Sequence, residues 1–553
     1  MKTTIKFNFK RYLANSKSAG EYVLKRQDLI KRFIISTSGD GLKNFSNQNL
    51  SQLYDNLGLS KTSLLTLVIP SNLTPYEYHS TYNADTSYIN QPRLSVTKLL
   101  TNRWCELKEY YNIYSNSPPL QPTKQIELGL IVHHRLEMEA HRPIDTDRLQ
   151  VAIAELEKIK LGAGKKIDPL FDINILEGRH AEELSERVMM RIFSLFRNSE
   201  SREVLVHGFI NLRSHDFVQN SEKLSKPGNV LVSGIIDKIR LLNLSNPDDF
   251  SLFQEIEFFF KSKFPKLNNE YVINLSIFFD EVRKIICRYS DDFSLQITDI
   301  KTRSISKVPS QESVISAAKM QTFYYRKFLG ILSGEDGESI MGYKSLAENL
   351  AIKNCRLDVP ISYKTLLILL RKNFELLYDD FKRLANGHNL GLKSFDDYAR
   401  LHYSADAYDL SNFLEENDIN ILNCYDDQFD YSLLKDLIKK WKYPLTLRYF
   451  AARSSQFYNL IGPLVGNNTT IEYHNNNSGE CFHVDHYLYS YQDIEEEVGE
   501  ACRFWNGERA PKPNTDITKC KYCDFRSRCP IPNSIVYKRE VGSRVHDFVN
   551  SDQ

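Results

Sequence analysis

The sequence predicts a mixed α/β core with large helical additions, and three observations carry that class. Residues 203–209, 230–237 and 293–297 are apolar or alternating runs of strand length and composition. Helical patterns separate and flank them, the clearest from Ala181 to about Asn198, where Leu184, Val188, Ile192 and Phe196 recur at helical spacing. From 336 to 442 the pattern is mainly helical, with an amphipathic run from Leu366 to Leu384. Strands interleaved with helices, followed by a long helical stretch, imply a sheet flanked by helices with an appended helical region.

The elements follow in chain order. Residues 1–20 hold Lys2, Lys6, Lys10, Arg11 and Lys17 without an acid, and lack the apolar core of a secretory signal. Residues 1–35 therefore read as a mitochondrial transit peptide or a basic tail. Residues 36–95 give no clear element, and from Leu94 two stretches, Ser95–Leu100 and Trp104–Tyr111, read as helix. The boundaries expected are 36–125 for an N-terminal helical segment, 126–335 for the core, 336–442 for the helical region, 443–510 for a hairpin and helix completing the core, and 511–553 for a cysteine-rich tail.

Within the core, Gly129–Glu137 has a helical pattern that places His133 and Glu137 on one face. Gly162-Ala163-Gly164-Lys165 fails the phosphate-loop spacing, because Ile159 and Lys166 stand where a glycine and a hydroxyl are needed. The strand ending at Asp237 brings an acid out of an apolar run, where it must be hydrated, paired or bound to a cation. About fifty residues later the strand from Phe293 ends in Asp299-Ile300-Lys301-Thr302-Arg303. An acid and a base two apart project from the same side of a pleat. The carboxylate can hold Mg²⁺ while the ammonium steadies an attacking water or charge developing on phosphate. A helix opens near Ser310 and carries Gln321 and Tyr325 on one face.

Composition sets limits. Of 553 residues, 42% are apolar and the formal net charge is +1, which predicts a folded protein and neither demands nor excludes a nucleic-acid partner. No apolar run approaches the roughly 18 residues of a membrane span. Nine cysteines, three of them in Cys520-Lys521-Tyr522-Cys523-Asp524-Phe525-Arg526-Ser527-Arg528-Cys529, point to metal ligation in a reducing compartment. Three thiolates need a fourth ligand, which the spacing leaves open among Cys105, Cys287, Cys355, Cys424, Cys481 and Cys502; zinc and an iron–sulfur cluster both suit the sulfur donors. Cys481, His483 and His486 also invite a zinc site, but they lie along an apparent hairpin strand after Asn475–Gly479, which favours a structural role.

In order, the helix with Gly-x-x-x-His, the strand with Glu203, the strand ending Gly-Ile-Ile-Asp, the strand ending Asp-Ile-Lys-Thr-Arg and the helix with Gln-x-x-x-Tyr resemble the RecB-type branch of the PD-(D/E)XK nucleases, with their restriction-endonuclease-like core. The resemblance implies that His133, Asp237 and Asp299 ligate Mg²⁺ or Mn²⁺, that Lys301 assists the attacking water, and that Gln321 and Tyr325 line the substrate channel. Glu203 matches a less uniform acidic position and Glu137 a looser one. Arg93–Thr97, Trp104-Cys105-Glu106 and Phe504–Arg509 leading into the cysteine run are similar to the exonuclease V family in its fungal mitochondrial form. That similarity implies a [4Fe-4S] cluster on Cys105, Cys520, Cys523 and Cys529. It also implies a single-stranded DNA exonuclease of mitochondrial DNA maintenance, acting from 5′ ends; the protein is further expected to be a monomer in the matrix, with a single-strand-binding protein as a partner. Arg303, Lys307, Arg326 and Lys327 are expected to contact phosphates. The alternative is a catalytically silent nucleic-acid-binding protein built on a cluster or zinc.

Overall fold

The computed structural model describes residues 72–83, 93–114, 124–162, 164, 174–267, 270–334, 340–403, 408–514, 517–526 and 529. The basic stretch at 1–35 lies outside them. A seven-stranded sheet organises the chain: β1 (Arg93–Ser95), β2 (Glu200–Asn211), β3 (Asp216–Phe217), β4 (Asn229–Asn243), β5 (Phe293–Arg303), β6 (Val465–Asn475) and β7 (Cys481–Leu488). The order is β7-β6-β5-β4-β2-β3, with β1 also on β4.

Its pairing explains where the site forms. β2 runs antiparallel to β4 from Glu200↔Arg240 to Asn211↔Asn229. On the other edge β4 is shared: β1 lies parallel against Leu231–Ser233, and β5 runs antiparallel against Lys238–Asn243. β5 leaves β4 after Thr298↔Lys238 and continues, paired in parallel with β6, to Arg303↔Asn475. Residues 234–237 therefore border a wedge where the sheet splits. The expectation that Asp237 and Asp299 end their strands is corrected here. Each strand continues past its acid, because Ile239 and Leu241 stay buried on β4 and Ile300 on β5.

Seven helices matter to the argument. α1 (Glu106–Tyr114) and α2 (Lys124–Ala140) precede the sheet, and Thr101–Arg103 forms a 3₁₀ turn before α1. The expected helix Ser95–Leu100 is short, Val96–Leu99, because Arg93–Ser95 is drawn into the sheet. Ala181–Asn198 is helical as expected, though a π-turn at Ser185–Met190 joins α3 (Ile175–Leu184) to α4 (Arg191–Asn198). α5 (Glu312–Ser333) packs across the sheet and is buried almost throughout from Ala317 onward. Gly234 admits it: a Cβ there would lie 2.5 Å from a ring carbon of Tyr325.

The region expected to be helical is so, from Met341–Ile352 through Tyr363–Asn386 to Glu416–Tyr425. It joins the core through α6 (Leu447–Ile461), where the fully buried Arg453 donates twice to Asp380 at 2.9 Å and Tyr449 donates to the same carboxylate at 2.8 Å. A charge this deep stays ionised only because its partner and the remaining lone pairs are satisfied. α7 (Tyr491–Trp505) closes the described core before the cysteine-rich tail.

Candidate active site and cysteine pocket

The wedge gathers the expected catalytic side chains. Asp237 Oδ2 accepts from the Ile300 backbone N–H at 2.6 Å, so the side chain takes the place of the strand partner that β4 lacks there. Asp299 is 1% exposed, and its Oδ2 lies 2.7 Å from Lys301 Nζ. Lys301 also donates to Gln321 Oε1 at 2.9 Å, and Gln321 Nε2 donates to the Tyr325 hydroxyl at 2.7 Å. The helix spacing of Gln321 and Tyr325 thus builds a relay that orients the ammonium. α2 supplies His133, whose Nδ1 is 3.6 Å from Asp237 Oδ1.

A ligand atom from each of His133, Glu203 and Asp237 falls within 4.8 Å of the others. Glu203, a minor candidate from sequence, therefore stands nearer the centre than its ranking suggested. Its φ of +56° is uncommon for a non-glycine residue and marks a constrained site. No pattern of residue types signals a backbone angle. Glu137 is drawn aside, accepting from Arg191 at 2.8 Å.

The electrostatics fit a divalent cation. Burial first, and then the neighbouring Asp299, push the Asp237 carboxyl well above its ordinary range; Lys301 and the Ile300 N–H only partly oppose this. Burial likewise raises Glu203, with Glu137 adding to it. Burial lowers the His133 imidazole, which keeps it neutral and able to ligate. Asp237, Asp299 and Glu203 stand close together with Lys301 on Asp299 and Arg187 3.5 Å from Glu203, a set to which a hard cation with oxygen and imidazole ligands is suited. Burial, then Asp299 and Asp237, raise the Tyr325 phenol, so it remains a neutral donor.

A cleft beside Lys301 and Gln321 is lined by Arg103, Arg303, Pro309, Val314 and Tyr473, joining positive charge to an aromatic wall. Arg303 is half-buried and Lys307 exposed. Arg326 and Lys327 correct the expectation of a four-residue phosphate surface. They lie on the buried length of α5, 6% and 5% exposed. Arg326 donates to Gly466 O and Asn467 Oδ1, and Lys327 to Gln219 Oε1 at 3.0 Å.

The hairpin of β6 and β7 turns at Asn475–Gly479 as expected. The nearest approach to a metal triad there is Glu472, His474 and Cys481. Lys238 and His474 occupy the two Glu472 oxygens, holding its pKa down to about 2 against the opposing effect of burial. That network accounts for the hairpin structurally.

The second assembly is sulfur-rich. Cys105, Cys520, Cys523 and Cys529 line a single pocket with Trp104, Tyr111 and the cations Lys108, Lys519 and Arg526. None of the nine cysteines forms a disulfide. Burial raises the Cys105 and Cys523 thiols. Four sulfur donors with basic neighbours, and no acid or imidazole in the lining, match an anionic thiolate-bound metal group. Cys287, Cys355, Cys424, Cys481 and Cys502 do not line this pocket.

A family model described as "Exonuclease V - a 5' deoxyribonuclease" matches residues 88–530. The chain belongs to the exonuclease V family. That places it among nuclease hydrolases, with nucleic acid as substrate. Among relatives named "Exonuclease V, mitochondrial", that of Scheffersomyces stipitis is 38% identical over 96% of this chain and 100% of its own. The Debaryomyces hansenii protein is 39% identical over 95% and 90%, and one from Candida albicans 37% over 94% and 85%. Among the described residues, no helix is long and apolar enough to cross a membrane.

Proposed function

We propose that the protein is a Mg²⁺- or Mn²⁺-dependent exonuclease that degrades single-stranded DNA from 5′ ends in the mitochondrial matrix. The observation that carries this reading is the split between β4 and β5, where His133, Glu203 and Asp237 cluster and Asp299 meets Lys301. His133, Asp237 and Asp299, joined by Glu203, would hold the cation, which supplies Lewis acidity to the phosphodiester when bound. Lys301, fixed between Asp299 and Gln321, stabilises negative charge on the attacked phosphate. Tyr325, held neutral by burial, keeps the relay in place. Arg103, Arg303 and Lys307 guide the strand's phosphates toward this centre.

The cysteine pocket holds a [4Fe-4S] cluster on Cys105, Cys520, Cys523 and Cys529. All four thiols line one basic pocket. A mitochondrial location and 5′ polarity are supported by the relatives' names and the family description. The protein acts as a monomer on strands presented by a single-strand-binding protein.

The test uses full-length protein purified without oxygen and linear single strands labelled at each end in turn. Label should leave first from the 5′ end, chelator should stop release, and circular single strands should resist. Lys301→Ala should slow single-turnover cleavage with little change in Mg²⁺ affinity. Cleavage retained in chelator, or equal cutting of circles, overturns the reading; zinc without iron–sulfur absorbance replaces the cluster by zinc.

A further inference from the structure

Behind Tyr325 lies a second cavity of ≈ 370 Å³ that the chemistry described above does not use. Its floor is Ser233, Gly234 and Ile235 of β4, the residues leading to Asp237. Its sides come from Arg93, Ser95, Val96 and Thr97, from α3, and from the helix Met341–Ile352 with Lys353 just past its end. Tyr325 lines it as well, while its hydroxyl belongs to the Lys301–Gln321 relay. The cavity therefore abuts the catalytic centre across one side chain.

Its polar groups are unusual in being both buried and unsatisfied. His180 is 6% and Asn349 8% exposed, yet His180 Nε2, Asn349 Oδ1 and the Ser233 hydroxyl have no hydrogen-bond partner. A buried polar atom left unpaired is costly, so three around one cavity call for an occupant that can bond to them. Lys353 is 8% exposed, and its nearest acid, Glu183, is 4.0 Å away. That carboxylate is already engaged by His180 Nδ1 at 2.9 Å. Burial lowers the Lys353 pKa, Glu183 opposes this, and Arg93 at the exposed rim lowers it further. Two cations thus face a space with one engaged counter-ion. Val96, Leu205, Ile235, Leu346 and Leu350 supply apolar walls.

Apolar walls around an undercompensated positive focus suit an amphipathic anion of nucleotide size. We propose that this cavity is a product site, binding the phosphate of a released nucleotide through Lys353 and Arg93 while its base lies against the apolar wall. The inference rests on the nuclease reading only for the origin of the ligand. Occupancy gives the unpaired donors and acceptors partners, and puts the released end on the far side of Tyr325 from the scissile bond.

Calorimetric titration of the cluster-containing full chain in chelator, with deoxyadenosine 5′-monophosphate and then deoxyadenosine, tests this without any turnover. The monophosphate should bind, and the nucleoside should bind about tenfold or more weakly, the loss expected for a charge-assisted contact. Lys353→Met, which keeps the stem, should weaken the monophosphate by a similar factor. Asn349→Asp, nearly isosteric, should weaken it by adding like charge. Both variants should cleave in single turnover as the parent does and lose inhibition by added monophosphate. Asp299→Ala should abolish cleavage and leave monophosphate binding intact. No monophosphate binding at millimolar concentration, or equal binding by both cavity variants, overturns the product site even if cleavage stands. Absent cleavage with intact, Lys353-dependent binding overturns the nuclease reading and leaves the nucleotide site.

Discussion

The catalytic wedge and the cysteine pocket each gather residues that are distant in sequence, but opposite forces hold them. In the wedge the backbone is fixed by strand pairing and the side chains repel: burial first, and then the nearby Asp299, raise Asp237. In the pocket the thiols impose little charge while protonated, and the backbone segments come from the two ends of the described chain. Protein contacts already join those ends. Glu106, 1% exposed, accepts from both terminal nitrogens of Arg509 at 2.6 and 2.8 Å and from the Lys512 N–H at 2.7 Å. Trp505 Nε1 donates to Lys98 O, and the rings of Tyr111 and Phe525 lie 5.3 Å apart. On the proposed reading, an ion in the wedge would serve chemistry, whereas a metal group in the pocket would add stability to ends that protein contacts already join.

The sharpest way to break that contrast is at the sulfur site. Cys105→Ala should lose iron and roughly 6 kcal/mol of stability at most, the scale of closing a loop of several hundred residues. Iron analysis and denaturant unfolding read both quantities; a full complement of iron would move the fourth ligand to another cysteine. Next comes the wedge. Asp237→Asn should lower single-turnover cleavage at least about a thousandfold while leaving iron unchanged. In chelator its melting temperature should rise, since one of the repelling carboxylates has gone; a fall would mean that the acids are not the strained partners.

Glu106→Gln separates the protein ties from the thiols. Breaking this buried pair should cost about 3 kcal/mol in urea unfolding, and iron should stay bound. At neutral pH the smallest effect is acid sensitivity, which grows only as the pH falls below about 6.5. His207 is buried, with its pKa lowered to about 3 chiefly by burial and also by Lys353. The unfolded chain therefore binds this proton below about 6.5 and the folded one does not. Stability is complete above that pH and falls by about 1.4 kcal/mol per unit as pH drops toward 3. His207→Asn should flatten that part of the profile.

Much of this was legible in the residues because chemistry has spacing. Asp299 and Lys301 two apart on a strand, Gln321 and Tyr325 four apart on a helix, and three cysteines in ten residues each report geometry locally. What stayed hidden depends on the third dimension. Arg326 and Lys327 read as surface cations until α5 proves buried along most of its length. Glu203 owes its place to a backbone angle, and the long stems and charges of Glu106 and Arg509 look like ordinary solvated residues until they meet. The continuation of β4 and β5 beyond their acids was masked because the acid interrupts the apolar run where the sheet divides.

The parallel pairing of β5 with β6 has a consequence in time. Thr298–Arg303 leaves the ribosome long before Thr469–Asn475, and the helical region lies between them. Until those later residues emerge, the catalytic strand has an unpaired edge where Asp299 and Lys301 sit. Synthesis runs at roughly 5–20 residues per second, so this half-built edge persists for roughly 10–30 seconds on each nascent chain. A nuclease assembled in this order cannot cut before most of its own length has been made.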